Sequence, residues 1–244
     1  MRETRDIMGM PVSVEIVGRD VEASAEKAFA AFVDADQRFS TYKTDSEISR
    51  INRDEIAPAQ YSEEMKAVCA LAEETKQLTH GYFDIRKPDG SIDPSGIVKG
   101  WAINNVARLL RSLGHADFYV EAGGDIQTAG TDNGEEWSIG VRNPFKYEEI
   151  VKVVYPRGRG IATSGTAIRG AHIYDPHTGR PVHTNIASIT VIGPDVYEAD
   201  RFATAAFAMG EKGINFIEQL EGFEAYQIDT GGIATMTSGF ETYL

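Results

Sequence analysis

Residues 81–100 read GYFDIRKPDGSIDPSGIVKG, and the rest of the chain is interpretable from this stretch outward. Phe83-Asp84 opens it, and Pro88-Asp89-Gly90 supplies turn chemistry. Asp93-Pro94-Ser95-Gly96 then leads into Ile97-Val98-Lys99-Gly100. Trp101, Ala102, Val106, Leu109 and Leu110 follow at helical spacing, so a helix is expected over about 98–113. Asp93 or Ser95 is expected to cap it, with Lys99 in its first turns. The start of a helix offers unpaired N–H groups and partial positive charge, and a lysine adds a full charge. That combination suits an anion such as a phosphate. Taken alone, the stretch equally accommodates a turn that only starts a helix.

Upstream, PVSVEIV (11–17) alternates as a strand does, and a long helical pattern runs from Val21 to Ser40. Asp45 and Ser46 suit the cap of a short helix, and residues 62–79 form another helix, stopped by His80-Gly81. Downstream, HADFYVEAGGDIQTAG reads as two strands joined at Gly123-Gly124-Asp125. WSIGVRNP, EIVKVVYP, RGIATSGT and ASITVIG are further strands, and AHIYDPHTGRPV is rich in turn residues. EADRFATAAFAMG and EKGINFIEQLEG read as helices, and AYQID and GIATMT as the closing strands. Helices and strands mix without regular βαβ alternation. The expected class is therefore α+β, a mixed or largely antiparallel sheet with flanking helices. The chain shows no repeat or linker-like segment, so residues 1–244 are expected to form one continuous domain.

Twenty-four basic residues against 37 acidic give a net charge of −13, which argues against nucleic acid or anionic lipid as partner. An anionic cofactor would need a local positive pocket or a metal ion. Cys69 is the only cysteine and cannot form an internal disulfide; in its amphipathic stretch it reads as a small hydrophobe. No apolar run is long enough to span a membrane. The first residues lack the apolar core of a signal peptide, so a cytoplasmic location is expected as the chain stands, and an extracytoplasmic one if a leader has been removed.

Two groups could carry chemistry. Asp200 and Thr204, four residues apart on one helix face, are hard oxygen donors of the kind Mg²⁺ takes, although a solvated acid and a core-edge hydroxyl would look the same. His172, after small residues and before Asp175-Pro176-His177-Thr178-Gly179, could be a general base toward a hydroxyl, or simply structural. No G-x-S-x-G, Walker A or G-x-G-x-x-G motif occurs.

Eight short motifs occur in order: MGM (8–10), FSTYKTDSEISRIN (39–52), GYFDI (81–85), DPSGIVKGWA (93–102), EAGGDI (121–126), ATSG (162–165), HIYDPHTGRP (172–181) and ADRFAT (199–204). Together they resemble the ApbE family, the FAD:protein FMN transferases, across essentially the whole chain. The resemblance implies an enzyme that binds FAD with Mg²⁺ or Mn²⁺, cleaves the pyrophosphate and passes FMN to a threonine hydroxyl of an acceptor flavoprotein, releasing AMP. It also implies that Met8, Tyr42, Tyr82, Phe83, Asp84, Asp93 and Lys99 contact FAD. Tyr42 or Phe83 would stack on a flat ring of the cofactor, and Lys99 would also stabilise the pyrophosphate oxygens during the reaction. Asp200, Thr204 and the Gly96 carbonyl would hold the metal, with His172 as general base. A metal-dependent FAD pyrophosphatase and a non-catalytic FAD-binding protein are the alternatives. The chain departs from the family pattern in a much shorter Asp84–Asp93 segment, in Arg86 where a threonine is usual, and in Arg201 where an apolar residue is frequent.

Overall fold

The computed structural model describes residues 1–244 apart from Tyr147, residues 167–173 and His183. Eight strands, β1 (Arg2–Ile7), β2 (Met10–Ile16), β3 (Phe118–Ala122), β4 (Asp125–Ala129), β7 (Gly160–Gly165), β10 (Ile186–Gly193), β11 (Glu224–Asp229) and β12 (Ala234–Met236), form one sheet in the order β1-β2-β3-β4-β7-β10-β11-β12. Every pairing in it is antiparallel. Two small ribbons stand apart from it: β5 (Ile139–Arg142) with β6 (Ile150–Val154), and β8 (Tyr174–Asp175) with β9 (Arg180–Pro181). The helices are α1 (Glu22–Phe39), α2 (Glu47–Asn52), α3 (Glu63–Leu78), α4 (Ser95–Ser112), α5 (Val196–Ala208) and α6 (Gly213–Glu218). The expected α+β class with a largely antiparallel sheet is what the chain forms.

One face of the sheet is covered by helices. Val12, Val14, Phe118, Val120 and Ala122 meet Phe29 and Phe32 of α1 and Ile97, Ile103 and Leu110 of α4. Ala162, Ile189 and Val191 meet Phe202 and Phe207 of α5. Each such aromatic side chain contributes about 1.5–3 kcal/mol by leaving water. The opposite face, with Tyr119, Ile126, Ile161, Ile192 and Ile228, lies under Ile139, Val141 and Val154 of the β5–β6 ribbon and Trp137 just before it.

The sequence reading missed β1, because RETRDI carries no apolar alternation. It is an edge strand held by its partner: Thr4 faces Ser13 with their hydroxyls 2.8 Å apart, and Ile7 faces Met10. Met8 and Gly9 both take positive φ (57° and 71°), the requirement of a tight two-residue hairpin turn. The reading of EKGINFIEQLEG as one helix is corrected to a short 3₁₀ turn, Gly210–Lys212, followed by α6. The start of α4 is corrected too: the helix begins at Ser95, and Pro94 holds the cap position. Asp93 acts from one residue earlier, its carboxylate accepting the Ser95 N–H at 3.1 Å. Ser46 does cap α2, accepting from the Ser49 N–H at 3.1 Å.

Close backbone approach fixes α5 over the sheet and beside α4. A Cβ on Gly160 of β7 would stand 1.9 Å from the Val196 nitrogen, so only glycine lets the start of α5 lie on that strand. Asp195 caps α5 by accepting the Glu198 N–H at 3.0 Å, and the Val196 N–H donates to Gln127 of β4 at 2.9 Å. The opening turns of α4, the middle of α5 and the ends of β4 and β7 therefore converge.

Candidate active site

At that convergence lies a small buried charge cluster. Lys99, on the second turn of α4, places Nζ 2.5 Å from Asp125 Oδ2 and 3.7 Å from Asp200 Oδ1. Asp125 opens β4 on the helix-covered face, and its other oxygen accepts the Thr163 N–H of β7 at 3.1 Å. Asp200 is only 3% exposed, and its Oδ2 accepts the Gly100 N–H at 2.8 Å. A Cβ on Gly100 would stand 2.7 Å from Asp200 Cβ and 2.9 Å from the Val196 carbonyl, so glycine allows the two helices to touch here. Burial pushes the Asp200 carboxyl upward; Lys99 pulls it back down, and Asp125 adds to the rise.

One turn beyond Asp200, the half-buried Thr204 hydroxyl stands 3.5 Å from that of Ser164 on β7. A Cβ on Gly96 would lie 3.4 Å from the Thr204 methyl and 3.2 Å from the Phe83 ring, so these three residues adjoin. Of the residues singled out in the sequence, Lys99, Asp200, Thr204, Gly96 and Phe83 thus meet around the start of α4. Among the described residues no group of three or more His, Cys, Asp and Glu side chains gathers to hold a metal. The donors here are a buried carboxylate, hydroxyls and the backbone. Such a set fits Mg²⁺, which takes one or two carboxylates and fills its remaining positions with water and substrate phosphate.

The remaining expected contacts frame this centre. The Asp93 carboxylate pairs with Lys87 at 2.7 Å. Burial works against its charge, but Lys87 and Ser95 outweigh burial and hold its pKa below the ordinary value. Asp84 pairs with Lys76 at 2.7 Å and accepts the Arg86 N–H at 2.8 Å. Tyr174 donates its hydroxyl to the Asp84 carbonyl at 2.7 Å, and burial pushes the phenol pKa up to about 12. Tyr82 meets the His177 ring edge-on, with centroids 4.6 Å apart. The 81–84 loop is therefore clasped by the 174–179 loop. Met8 sits at the β1–β2 turn, packed on the helix-side core. The Phe83 ring is buried, so of the two aromatics expected to stack on the cofactor only Tyr42, 96% exposed, turns its ring to solvent. His172 lies outside the described residues.

The short Asp84–Asp93 segment is a tight hairpin. Arg86 bridges to Ile92, the Lys87 N–H donates to the Ser91 carbonyl at 2.8 Å, and Asn52 bonds both backbone groups of Ile92 at 2.8 and 2.9 Å. Arg201 points away from the charge cluster, donating to Glu198 at 2.6 Å, Thr75 at 3.0 Å and Glu74 at 3.3 Å. Sequence reasoning missed Asp125, Gly100 and Ser164 as parts of the site. Gly123-Gly124-Asp125 was legible only as a hairpin turn, although an acid opening the wholly buried strand DIQTA was a signal that its charge needs a partner.

The fold and these motifs have clear counterparts. The ApbE family model matches residues 8–87 and 85–227. Its two stretches meet at the foot of the short hairpin, where the sequence places the shortened segment. The FAD:protein FMN transferase of Salmonella typhimurium is 27% identical over 302 aligned positions, covering 97% of this chain and 85% of that protein. The Escherichia coli protein of the same name is 33% identical, covering 69% of this chain; in that match the chain spans about half of the relative's length (51%). Among solved structures, the flavin transferase ApbE from Vibrio cholerae superposes with a TM-score of 0.88 at 24% identity, covering 100% of this chain and 99% of the other. The ApbE protein of Thermotoga maritima gives 0.86 at 22% identity, covering 100% and 98%. With a family match running through nearly its whole length, the chain belongs to the ApbE family.

Proposed function

We propose that this chain is a flavin transferase that splits FAD at its pyrophosphate and attaches FMN through a phosphoester bond to a threonine of an acceptor flavoprotein, with Mg²⁺ or Mn²⁺ as the cation. The observation that carries this reading is the position of Lys99. Its ammonium stands at the opening turns of α4 beside the buried Asp200 and the Thr204 and Gly96 positions. A cationic side chain near a helix start and a hard-oxygen donor set are thereby adjacent, as an enzyme acting on a diphosphate requires. The names of the Salmonella and E. coli relatives support the same chemistry.

Asp200, Thr204 and the Gly96 carbonyl would hold the cation. The Gly100 N–H, whose partner in a regular helix is the Gly96 carbonyl, donates to Asp200 at 2.8 Å. When bound, the metal would neutralise charge on the pyrophosphate oxygens as the bond breaks. Lys99 would bind and orient the same oxygens. In the transfer, the bond from the FMN phosphorus to the bridging oxygen breaks, and that oxygen leaves with its electron pair on AMP. The threonine oxygen bonds to the phosphorus, and its proton passes to His172, the base assigned from the sequence motif. The clasp of Tyr82 and Asp84 by the 174–179 loop would form a wall beside the cofactor.

The test is an intact-mass assay with FAD, Mg²⁺ and an acceptor domain bearing a threonine, with nucleotides measured in parallel. A gain of one FMN on the acceptor, matched by AMP, is expected. Free FMN and AMP with an unmodified acceptor would point instead to a pyrophosphatase, and intact FAD to a binding protein.

A further inference from the structure

Lys99 stands between two buried carboxylates and does not treat them alike. The ammonium touches Asp125 at 2.5 Å, but lies 3.7 Å from Asp200, too far for a hydrogen bond. Asp125 is wholly buried at the first residue of β4, and the Thr163 N–H of β7 fixes its other oxygen. The carboxylate is thus anchored to two strands in the middle of the sheet, and the lysine comes to it. Asp200 has committed one oxygen to the Gly100 N–H, so only Oδ1 remains toward the ammonium.

We propose that Asp125 is a positioning residue for the cation site: it holds the Lys99 ammonium back from Asp200, so that Asp200 keeps an oxygen for a divalent cation while the positive charge stays beside it for the anion. This rests on the metal reading given above. A buried ammonium and carboxylate attract strongly because little water screens them. Without the Asp125 charge, Lys99 is drawn onto Asp200 and competes there with the incoming cation. The same residue therefore makes two jobs compatible, metal binding at Asp200 and anion binding at Lys99, only 3.7 Å apart.

The test is Mn²⁺ binding by the full chain, read by EPR without FAD and with FAD saturating, and compared in whichever state the unaltered chain binds. Asp125→Asn keeps the shape and removes the charge; its Mn²⁺ affinity should fall about tenfold or more. Adding Lys99→Met should recover most of that loss, because the competitor is gone. The gain from Lys99→Met should be several-fold larger in the Asp125→Asn background than in the otherwise unaltered chain. An equal gain in both backgrounds overturns the proposal. If Asp125→Asn alone does not fold, Lys99→Met and the double variant still decide: they should bind Mn²⁺ about equally. A double variant much weaker than Lys99→Met would make Asp125 a ligand or a structural group, and would also overturn the proposal. An unaltered chain that binds no Mn²⁺ in either state removes the metal reading itself, and this inference with it.

Discussion

Asp200 is constrained from several sides at once. It is buried, bonded to the backbone of α4 and beside an ammonium held by a second carboxylate. Removing it in Asp200→Ala takes away the one carboxylate proposed for the metal and leaves the others in place. Mg²⁺-dependent turnover should fall by roughly 10²-fold or more, as for loss of a preorganised electrostatic group. Full turnover by that variant would remove Asp200 from the metal site. Gly100→Ala tests the helix contact behind it. The new methyl would meet Asp200 and the Val196 backbone at 2.7 and 2.9 Å, and backbone cannot move aside cheaply. A loss of about 1–3 kcal/mol in urea melts is expected, with weaker Mn²⁺ binding. A variant of unchanged stability would mean that the helices separate freely there. Asp200 and Thr204 were legible in the sequence because helical spacing alone puts them on one face. Asp125 and Ser164 were not, since their relation to that face depends on strand order across the sheet.

For α5 as an element, the anchor is on the side away from the charge cluster. Arg201, buried between α5 and α3, pairs with Glu198 and Glu74 and lies over the Phe202 ring at 4.6 Å. The neighbouring Glu198, Glu74 and Thr75 supply its partners. Arg201→Met leaves Glu198 without its cation. The expected cost is about 2–3 kcal/mol, less than for a fully buried pair because Glu198 is partly open to water. The pH dependence has a definite sign. Burial raises the Glu198 pKa above 4.5 despite the opposing arginine. Its favourable contribution is therefore complete below the ordinary carboxyl value and is lost as pH rises through the raised one. Removing Arg201 raises that pKa further, so the deficit of the variant should shrink between pH 7 and about 4.5. Urea melts of both proteins across that window check it, and a deficit independent of pH would rule out Glu198 as the cause. Elements with their own periodicity, α1, α3, α4 and the β3–β4 hairpin, were legible from residues alone. β1 was not, because an edge strand of alternating charge is defined by its neighbour and carries no apolar face of its own.

At the scale of the molecule, the order of the elements revealed the α+β class but not the sheet order. β7 lies beside β4 although the β5–β6 ribbon intervenes in the chain, and the ribbon instead covers the opposite face. The pairing of Ile126 with Ile161 and of Gln127 with Gly160 makes that placement, and no local pattern announces it. The consequence is that the residues around Lys99 come from α4, β4, β7 and α5, spanning Gly96 to Thr204, so neither half of the chain holds the site alone. We expect residues 1–244 to unfold as one cooperative unit, and binding at the site to stabilise all of it. With FAD near 100 times its apparent Kd, mass action should add about 2.7 kcal/mol. For a chain of this size that raises the melting temperature by about 5–10 °C. Calorimetry with ligand should show a single peak shifted whole, and chelation of the metal should reverse the part of the shift that depends on it. A ligand that split the melt into a stabilised and an unshifted transition would show that the chain holds two units and that the site belongs to one of them.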